Sequence, residues 1–361
     1  MIAAVPPING SDLQDTNEAG RQYLQSFLDG QPLLAALITV CRLRLPERLA
    51  DSPATADELA SWCTSTLNAP DLNAEYLERI LRVAHAYGWV QCDQDLAYSL
   101  TEAGTLLVPD APNSMVPAVI TRSFELWRQA AASMYDTVVT GTPVALDDCP
   151  TLYDWLDRQP PTVRDTFDAF MASRSSLIAP AIADLDLSGK RSLIDLGGGK
   201  GILLATLLRK HPNLLGFLVE RGRVAQAARD YLAQDPDLAG RHQVLERDLF
   251  RDGIPPRFKP VYVLSSVLHN LGDDQAVTLL ERIAKTMRDT GDAELWVAEC
   301  VRPERPEPHP SMPLDLLMLT LTYGGKERTV EELARLLHYA GLSLLDVRPL
   351  PAGQSLLIAR I

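Results

Sequence analysis

Residues 192–210 read SLIDLGGGKGILLATLLRK, and this stretch decides the fold. An apolar strand sequence ends at Leu196, a run of glycines follows, and a leucine-rich helix sequence comes next. Glycine at such a turn lets the backbone bend sharply and lets a ligand approach without a Cβ atom in the way. The succession of strand, glycine loop and helix favours an α/β sheet that binds its ligand beyond the carboxyl ends of the strands.

Strand and helix sequences alternate from this loop to the end of the chain. The predicted strands after SLIDL are LLGFLVE (214–220), HQVLERDLF (242–250), PVYVLSSVL (260–268), AELWVAE (293–299), SLLDVRPL (343–350) and SLLIARI (355–361). Helical sequences such as ILLATLLRK and AVTLLERIAKTM fill the gaps. This alternation predicts a mostly parallel, doubly wound, Rossmann-like sheet.

The glycine loop discriminates between three kinds of ligand. A dinucleotide fingerprint G-x-G-x-x-G fails because its last position, counted from Gly197, is Ile202, and a Walker loop fails because its four-residue spacer is missing. The pattern D/E-x-G-x-G-x-G of S-adenosylmethionine-dependent methyltransferases matches from Asp195 to Gly201. Glu220, which ends the next strand, is placed to accept hydrogen bonds from a ribose diol. Asp248 and Leu249 follow the third strand, where an adenine ring is expected.

The N-terminal part resembles a winged helix, with helix sequences followed by a hairpin that ends in YSLTEAG. A winged helix suggests DNA binding as an alternative function, as in a ligand-sensing regulator. The charge opposes this alternative, because residues 51–100 carry two arginines, no lysine and eight acidic residues. A DNA-reading helix normally brings several basic side chains to the phosphates. The leucine and alanine faces of this region instead predict a dimerisation surface.

Composition narrows the class of protein. The chain has 361 residues, 46% of them hydrophobic, and a net charge of −13, which disfavours nucleic acid and anionic lipid as partners. The N-terminal sequence is predicted to be a loose arm and lacks the features of a signal peptide. No apolar stretch is expected to approach the ~18 residues of a membrane span. Five scattered cysteines without a C-x-x-C pair predict neither disulfides nor structural zinc. A soluble, cytoplasmic protein is expected.

The chain resembles the small-molecule O-methyltransferases of the caffeate O-methyltransferase type over nearly its whole length. The resemblance rests on RLPERLADSPATADELA, NAEYLERILRV and YSLTEAG in the N-terminal part, and on IDLGGGKG, ERDLF, VLSSVLHNLGDDQA, WVAEC and GGKERT in the C-terminal part. It implies an N-terminal winged-helix dimerisation domain over 12–105, a helical connector over 106–187 and an S-adenosylmethionine-binding domain over 188–361. A homodimer acting on a small hydroxyl compound is implied.

Carried over position by position, the resemblance makes His269 the general base, with Glu299 and Glu327 holding its imidazole. His269 also differs from the other five histidines in following a buried-looking strand at its carboxyl end. The implied cofactor contacts are Gly197, Gly199, Gly201, Glu220, Asp248, Leu249, Ser265 and Ser175. The implied acceptor contacts are Phe167, Met171, Asn270, Met318 and Thr322. No metal is predicted, because the adjacent acids at Asp273 suit a helix start.

The sequence departs from the family directly after the base. The family continues as H-D-W-x-D, whereas this chain reads His269-Asn270-Leu271-Gly272-Asp273. The change removes an acidic neighbour of the base and an aromatic wall at the cofactor edge. A second hypothesis is therefore an enzyme of the same fold that binds S-adenosylmethionine without transferring its methyl group, such as a pericyclase, hydroxylase or decarboxylase. Asn270 would suit it as a hydrogen-bond partner for a substrate carbonyl.

Overall fold

The computed structural model describes residues 17–67, 72–143 and 148–361. The predicted N-terminal arm lies outside these ranges. The contacts divide the chain into two units, Met1–Phe124 and Glu125–Ile361. The predicted domain boundaries, with a connector over 106–187, stay a prediction.

The N-terminal unit is mainly helical. Its helices are α1 (Asn17–Arg42), α2 (Leu45–Asp51), α3 (Ala56–Leu67), α4 (Ala74–Ala86), α5 (Glu102–Thr105) and α6 (Val116–Thr121), and strands β1 (Val90–Cys92) and β2 (Tyr98–Leu100) form an antiparallel hairpin. Leu59, Leu81 and Tyr98 are fully or almost fully buried and join α3, α4 and the hairpin in one core. The predicted helices and hairpin are thus present.

Helix α1 contradicts the expectation that no apolar stretch approaches the length of a membrane span. Its segment Glu18–Arg42 contains an 18-residue window of mean hydropathy 1.3, long and apolar enough by length and composition to cross a membrane. The prediction that no stretch approaches this length was therefore wrong. Length and composition alone do not make α1 a membrane span, because the core helix of a soluble protein and a signal sequence share them. Only 17% of the window is buried, and Leu24, Phe27 and Leu28 are each more than 60% exposed.

The C-terminal unit is built on a seven-stranded sheet. Its strands are β3 (Ser192–Leu196), β4 (Leu215–Glu220), β5 (His242–Glu246), β6 (Pro260–Ser265), β7 (Glu294–Glu299), β8 (Ser343–Pro349) and β9 (Ser355–Arg360). The order is β5-β4-β3-β6-β7-β9-β8, in which β3 to β7 are parallel and β9 runs antiparallel to β7 and β8. The predicted doubly wound, mostly parallel sheet is confirmed.

Helices cover both faces of this sheet. The helices of this unit are α7 (Glu125–Ala132), α8 (Met134–Thr140), α9 (Leu152–Asp157), α10 (Pro161–Ala183), α11 (Ile202–Lys210), α12 (Gly222–Ala233), α13 (Asp273–Thr290), α14 (Ser311–Leu321) and α15 (Val330–Tyr339), and those that pack on the sheet include α10, α11, α13 and α15. Successive strand side chains point to opposite faces. Leu193 accordingly packs with residues of α10 and α11, whereas Ile194 packs with residues of α13 and α15. Burial on both faces explains why the sequences of β3, β6 and β7 are largely apolar.

Two glycines of the N-terminal unit provide a test of this packing. A Cβ atom at Gly104 would lie 2.0 Å from the carbonyl oxygen of Trp89, whereas one at Gly20, within α1, would meet nothing within 4 Å. We expect Gly104→Ala to lower the free energy of unfolding by about 2 kcal/mol or more, since the backbone must move. Gly20→Ala should leave it unchanged or raise it by about 0.5–1 kcal/mol. Chemical denaturation at one protein concentration measures both; equal effects would contradict the packing described.

Candidate active site

The glycine loop between β3 and α11 has a backbone that only glycine adopts easily. Gly197, Gly199 and Gly201 have φ angles of +74°, +56° and +87°. A Cβ atom at Gly201 would lie 3.0 Å from a methyl group of Leu218 on β4. At Gly198, where φ is not positive, a Cβ atom would lie 2.4 Å from the Asp195 carboxylate. The loop therefore requires glycine for conformation at three positions and for space at a fourth.

A cavity of about 1150 Å³ lies at the carboxyl ends of β3 to β6. Pockets for one drug-sized ligand are ~300–1,000 Å³, so this cavity has room for a cofactor and a second molecule. Most of the residues predicted for cofactor and acceptor line it. They are Gly197, Gly199, Glu220, Asp248, Leu249, Ser265, Ser175, Phe167, Met171, Asn270 and Thr322.

Five other predicted site residues lie outside the cavity lining. Gly201 begins α11 and packs against the sheet, and Met318 is buried within α14. His269, Glu299 and Glu327 form a buried group directly behind the lining, next to Val267 and Asn270, which do face the cavity. The imidazole is 7% exposed.

Glu220 and Asp248 are fixed by backbone N–H groups. Glu220 accepts hydrogen bonds from the backbone N–H of Gly199 (3.1 Å) and of Arg221 (2.8 Å). Burial raises the pKa of Glu220 against the lowering effect of these bonds. Asp248 accepts from the backbone N–H groups of Phe250 and Arg251, which shapes the turn after β5. Both carboxylates are thereby held at adjacent strand ends.

Asp195 is the carboxylate that begins the glycine motif. It is 1% exposed, and neither of its oxygens has a hydrogen-bond partner among the residues the structure describes. Burial, followed by the nearby charge of Glu220, raises the pKa of Asp195 to about 7. A buried carboxylate with both oxygens free is costly unless a donor or cation occupies the cavity. The cavity therefore fits a ligand with a cationic group, such as the ammonium and sulfonium groups of S-adenosylmethionine.

His269 lies in a 3₁₀ turn, Leu268–Asn270, that follows β6. Its Nδ1 is 2.7 Å from Oε1 of Glu327 and 3.9 Å from Oε2 of Glu299. Burial disfavours the imidazolium, but the charge of Glu299 and the hydrogen bond with Glu327 outweigh it and raise the pKa of His269. The hydrogen bond through Nδ1 leaves Nε2 for another partner. The three ligand atoms lie within 4.8 Å of one another, close enough to hold a metal ion.

Glu299 also holds the turn that carries the base. Its Oε1 accepts hydrogen bonds from the backbone N–H groups of Val267 (3.1 Å) and Leu268 (2.8 Å). The preceding Ser266 has a φ of +55°, an uncommon conformation for a residue with a side chain. Glu299, at the end of β7, thus ties down a strained turn at the end of β6.

Arg328 fixes the same turn from the other side. Its guanidinium, 3% exposed, donates to the carbonyl oxygens of Leu268 (2.9 Å) and Leu271 (2.7 Å) and to the carboxylate of Asp273. The neighbouring Lys326 also pairs with Asp273. The GGKERT segment therefore contacts the imidazole of His269 through Glu327 and the backbone of its turn through Arg328.

Asn270 is already engaged in the structure. Its Nδ2 donates to the carbonyl oxygen of Ser266 (3.2 Å) and lies 3.4 Å from the hydroxyl of Tyr153. Burial, together with the charges of Glu220 and Glu299, raises the pKa of Tyr153. Tyr153 thus lies in the electrostatic field of a cofactor-side and a base-side carboxylate.

Several cavity residues were missed from the sequence. Asp168 and Arg223 form an ion pair between α10 and α12, and Arg221 pairs with Asp154 of α9. No local pattern marks these pairs, because their partners lie far apart in the chain. Asp195 carried a signal, since it begins the matched glycine motif.

Comparison with known proteins identifies the family. Residues 149–343 match the O-methyltransferase domain, and residues 25–110 match the O-methyltransferase dimerisation domain. The chain belongs to the O-methyltransferase family. Phenazine O-methyltransferase PhzM of Lysobacter antibioticus is 30% identical over 353 residues, which are 96% of this chain and 99% of that protein. The solved structure of the mitomycin 7-O-methyltransferase MmcR superposes with a TM-score of 0.83 at 30% identity, covering 95% of this chain and 98% of the other.

A further relative bears a different activity in its name. Aclacinomycin 10-hydroxylase RdmB of Streptomyces purpurascens is 31% identical over 318 residues, which are 87% of this chain and 82% of that protein. The family match shows this O-methyltransferase to be an S-adenosylmethionine-dependent enzyme of secondary metabolism. The region weighed above as a DNA reader matches the dimerisation domain, which supports the predicted homodimer.

Unfolding measurements on this O-methyltransferase test how much Arg328 stabilises the turn that carries His269. Arg328→Met removes the side-chain donor of the Leu268 and Leu271 carbonyl groups and one of the two cations that pair with Asp273, which leaves Lys326 in place. We expect the free energy of unfolding to fall by about 3 kcal/mol. Arg335→Met, which removes an exposed pair with Glu331 one helical turn away, should change it by about 0.5 kcal/mol or less. Thermal or denaturant unfolding at matched concentration compares them, and similar losses would argue against the clamp.

Proposed function

We propose that this enzyme transfers a methyl group from S-adenosylmethionine to the hydroxyl oxygen of a small aromatic or polyketide-like acceptor, with His269 as general base. The observation that carries the proposal is the 2.7 Å contact between His269 Nδ1 and Glu327, made at the carboxyl end of β6 beside the cavity. A histidine oriented by a buried carboxylate is the arrangement of a general base in a triad. The relatives named for phenazine and aclacinomycin support a fused-ring acceptor.

The environment of His269 addresses the main energetic difficulty of the reaction. A phenol has a pKa near ~10 and an unperturbed histidine one near ~6.5, so proton transfer between them is uphill by roughly 5 kcal/mol. The two carboxylates raise the pKa of His269, which narrows this gap. Glu327 accepts from Nδ1, so Nε2 is the nitrogen that takes the acceptor's proton. Holding both reactants in one cavity supplies much of the remaining acceleration.

The cavity residues divide into a cofactor side and an acceptor side. Glu220 would bind the ribose hydroxyls, Asp248 and Leu249 would contact the adenine ring, and the glycine loop with Asp195 would receive the amino acid portion. Ser175 and Ser265 would add polar contacts. When bound, S-adenosylmethionine supplies a methyl group on a positively charged sulfur. The acceptor side is formed by Phe167, Met171, Asn270 and Thr322, with Met318 buried behind them.

A second candidate function keeps the same cavity. The relative named as a hydroxylase and the Asn270-Leu271-Gly272 sequence favour an enzyme that binds S-adenosylmethionine without transferring its methyl group. In that enzyme the cofactor's positive charge, rather than its methyl group, acts on the acceptor. Product mass separates the two functions, because only methyl transfer adds 14 mass units.

The role of the base is tested by product analysis. Purified enzyme is incubated with S-adenosylmethionine and a panel of phenolic and polyketide acceptors, and products are measured by mass spectrometry. We expect a +14 product whose rate of formation falls by about 10²–10⁴-fold in His269→Ala. Glu327→Gln should lower the rate less, since the ring stays in place, and the exposed His338→Ala should leave it unchanged. Full activity in His269→Ala would remove the histidine from the mechanism, and an oxidised or cyclised product would favour the second function.

The role of Asp195 predicts a pH dependence of cofactor binding. Because its raised pKa lies at about 7, the side chain is neutral below that pH and an anion above it. Binding of the cationic cofactor should therefore strengthen as the pH rises from 5.5 to 8, by up to about tenfold per pH unit below the pKa. Calorimetry should show this slope for wild type and lose it for Asp195→Asn. If the pH dependence of binding is lost in Glu220→Gln but kept in Asp195→Asn, the titrating group is Glu220 instead.

A further inference from the structure

One face of α10 lines the cavity with a regular stripe of side chains. Phe167, Met171, Arg174 and Ile178 follow one another at intervals of four, three and four residues, and all four border the cavity. That spacing places them along one side of a helix. The stripe is apolar except for Arg174, which introduces a half-buried cation into the acceptor side.

The Arg174 guanidinium has no polar partner in the part of the chain that the structure describes. Its side chain makes no hydrogen bond and no ion pair with any residue in 17–67, 72–143 or 148–361. The neighbouring cavity cations Arg221 and Arg223 differ, because carboxylates of α9 and α10 neutralise them. Lys200, Arg158 and Arg247 also border the cavity without an ion pair, but Lys200 belongs to the glycine loop, Arg158 is exposed and Arg247 donates to the carbonyl oxygen of Gly253 (2.9 Å).

Arg174 also lies near the base. Its positive charge acts on His269, where it opposes protonation of the imidazole, and on Cys300 next to Glu299. The Oε2 atoms of Glu299 and Glu327 are both buried and have no hydrogen-bond donor among the described residues, yet neither pairs with Arg174. The carboxylates of the base therefore do not neutralise this cation.

We propose that Arg174 binds an acidic group of the acceptor, so that the acceptor is a hydroxyarene that also carries a carboxylate. The planar guanidinium offers two parallel N–H donors that match a carboxylate. A half-buried cation without a counter-ion is unfavourable, and an anionic acceptor removes that cost. Binding there holds the acceptor on the stripe of Phe167 and Met171, near His269. The inference deepens the proposed function and rests on it for the identity of the acceptor side.

A matched pair of probes tests the proposal without turnover. We would measure binding of 1-hydroxy-2-naphthoate and of 1-naphthol, which lacks the carboxylate, by calorimetry with the enzyme saturated with S-adenosylhomocysteine. Wild type should bind the carboxylate probe more tightly than 1-naphthol. Arg174→Gln should lower the affinity for the carboxylate probe by about tenfold or more and leave the affinity for 1-naphthol unchanged. Arg174→Lys should restore part of the loss, because it keeps the charge without the planar fork. Arg158→Gln, at the exposed rim, should match wild type.

Three outcomes would overturn the proposal. Equal binding of the two probes to wild type would show that no carboxylate is recognised. If Arg158→Gln lowers the affinity for the carboxylate probe as much as Arg174→Gln does, the preference comes from the summed positive charge around the cavity and not from Arg174. Weaker S-adenosylhomocysteine binding in Arg174→Gln would assign the guanidinium to the cofactor's own carboxylate. His269→Ala should still bind the carboxylate probe, so failure of methyl transfer and failure of this inference are separable.

Discussion

The site depends on the parallel pairing of β3 with β6, which brings two turns of different sequence origin into contact. Asp195 pairs with Val263 in that register, so the glycine loop and the turn carrying His269 leave the sheet at the same edge. A Cβ atom at Gly197 would lie 3.2 Å from a methyl group of Val267, so the two turns pack directly. The glycine loop and His269 are therefore positioned by the same pair of strands.

The next pairing, that of β6 with β7, determines the electrostatic environment of His269. It places Ser265 beside Ala298, and Glu299 then follows at the strand end, where its carboxylate accepts from the turn before His269. Glu299 thus acts on the base in two ways, through the backbone that positions it and through the charge that raises its pKa. Burial raises the pKa of Glu299 itself, because the sheet that positions it also excludes water. The same sheet therefore determines where His269 and Glu299 lie and why their pKa values are raised.

The sequence predicted the parts of the fold that local patterns encode. Strands β3, β6 and β7 are buried on both faces and are short apolar runs, and the regular alternation with helix sequences made the other strands of the seven-stranded sheet recognisable. The glycine motif was recognisable because three of its positions need a positive φ. Helix α1 was misjudged because its apolar residues are interrupted by polar ones, although the window average is high. Phe27 and Leu28 show that such residues need not be buried within their own chain.

The side-chain contacts of the site could not be derived in the same way. Arg328 and Leu268 are distant in sequence and meet only in the folded chain, and the ion pair of Asp168 with Arg223 joins two helices with no shared motif. The lack of a polar partner for Arg174 among residues 17–67, 72–143 and 148–361 is a further example, because it depends on every neighbour in space. Family resemblance supplied Glu327 as a contact of His269, but not the reason for its position.

The GGKERT segment supplies that reason when its residues are taken in order. A Cβ atom at Gly325 would lie 2.5 Å from the carbonyl oxygen of His269, so glycine there lets this segment approach the base turn closely. Two residues later Glu327 reaches the imidazole, and Arg328 reaches the carbonyl groups on either side of it. A close approach, an orienting carboxylate and a backbone clamp therefore come from four consecutive residues. Because the rigidity of the base arises from this segment and Glu299, Asn270 and Leu271 can differ from the family pattern while the imidazole keeps its position.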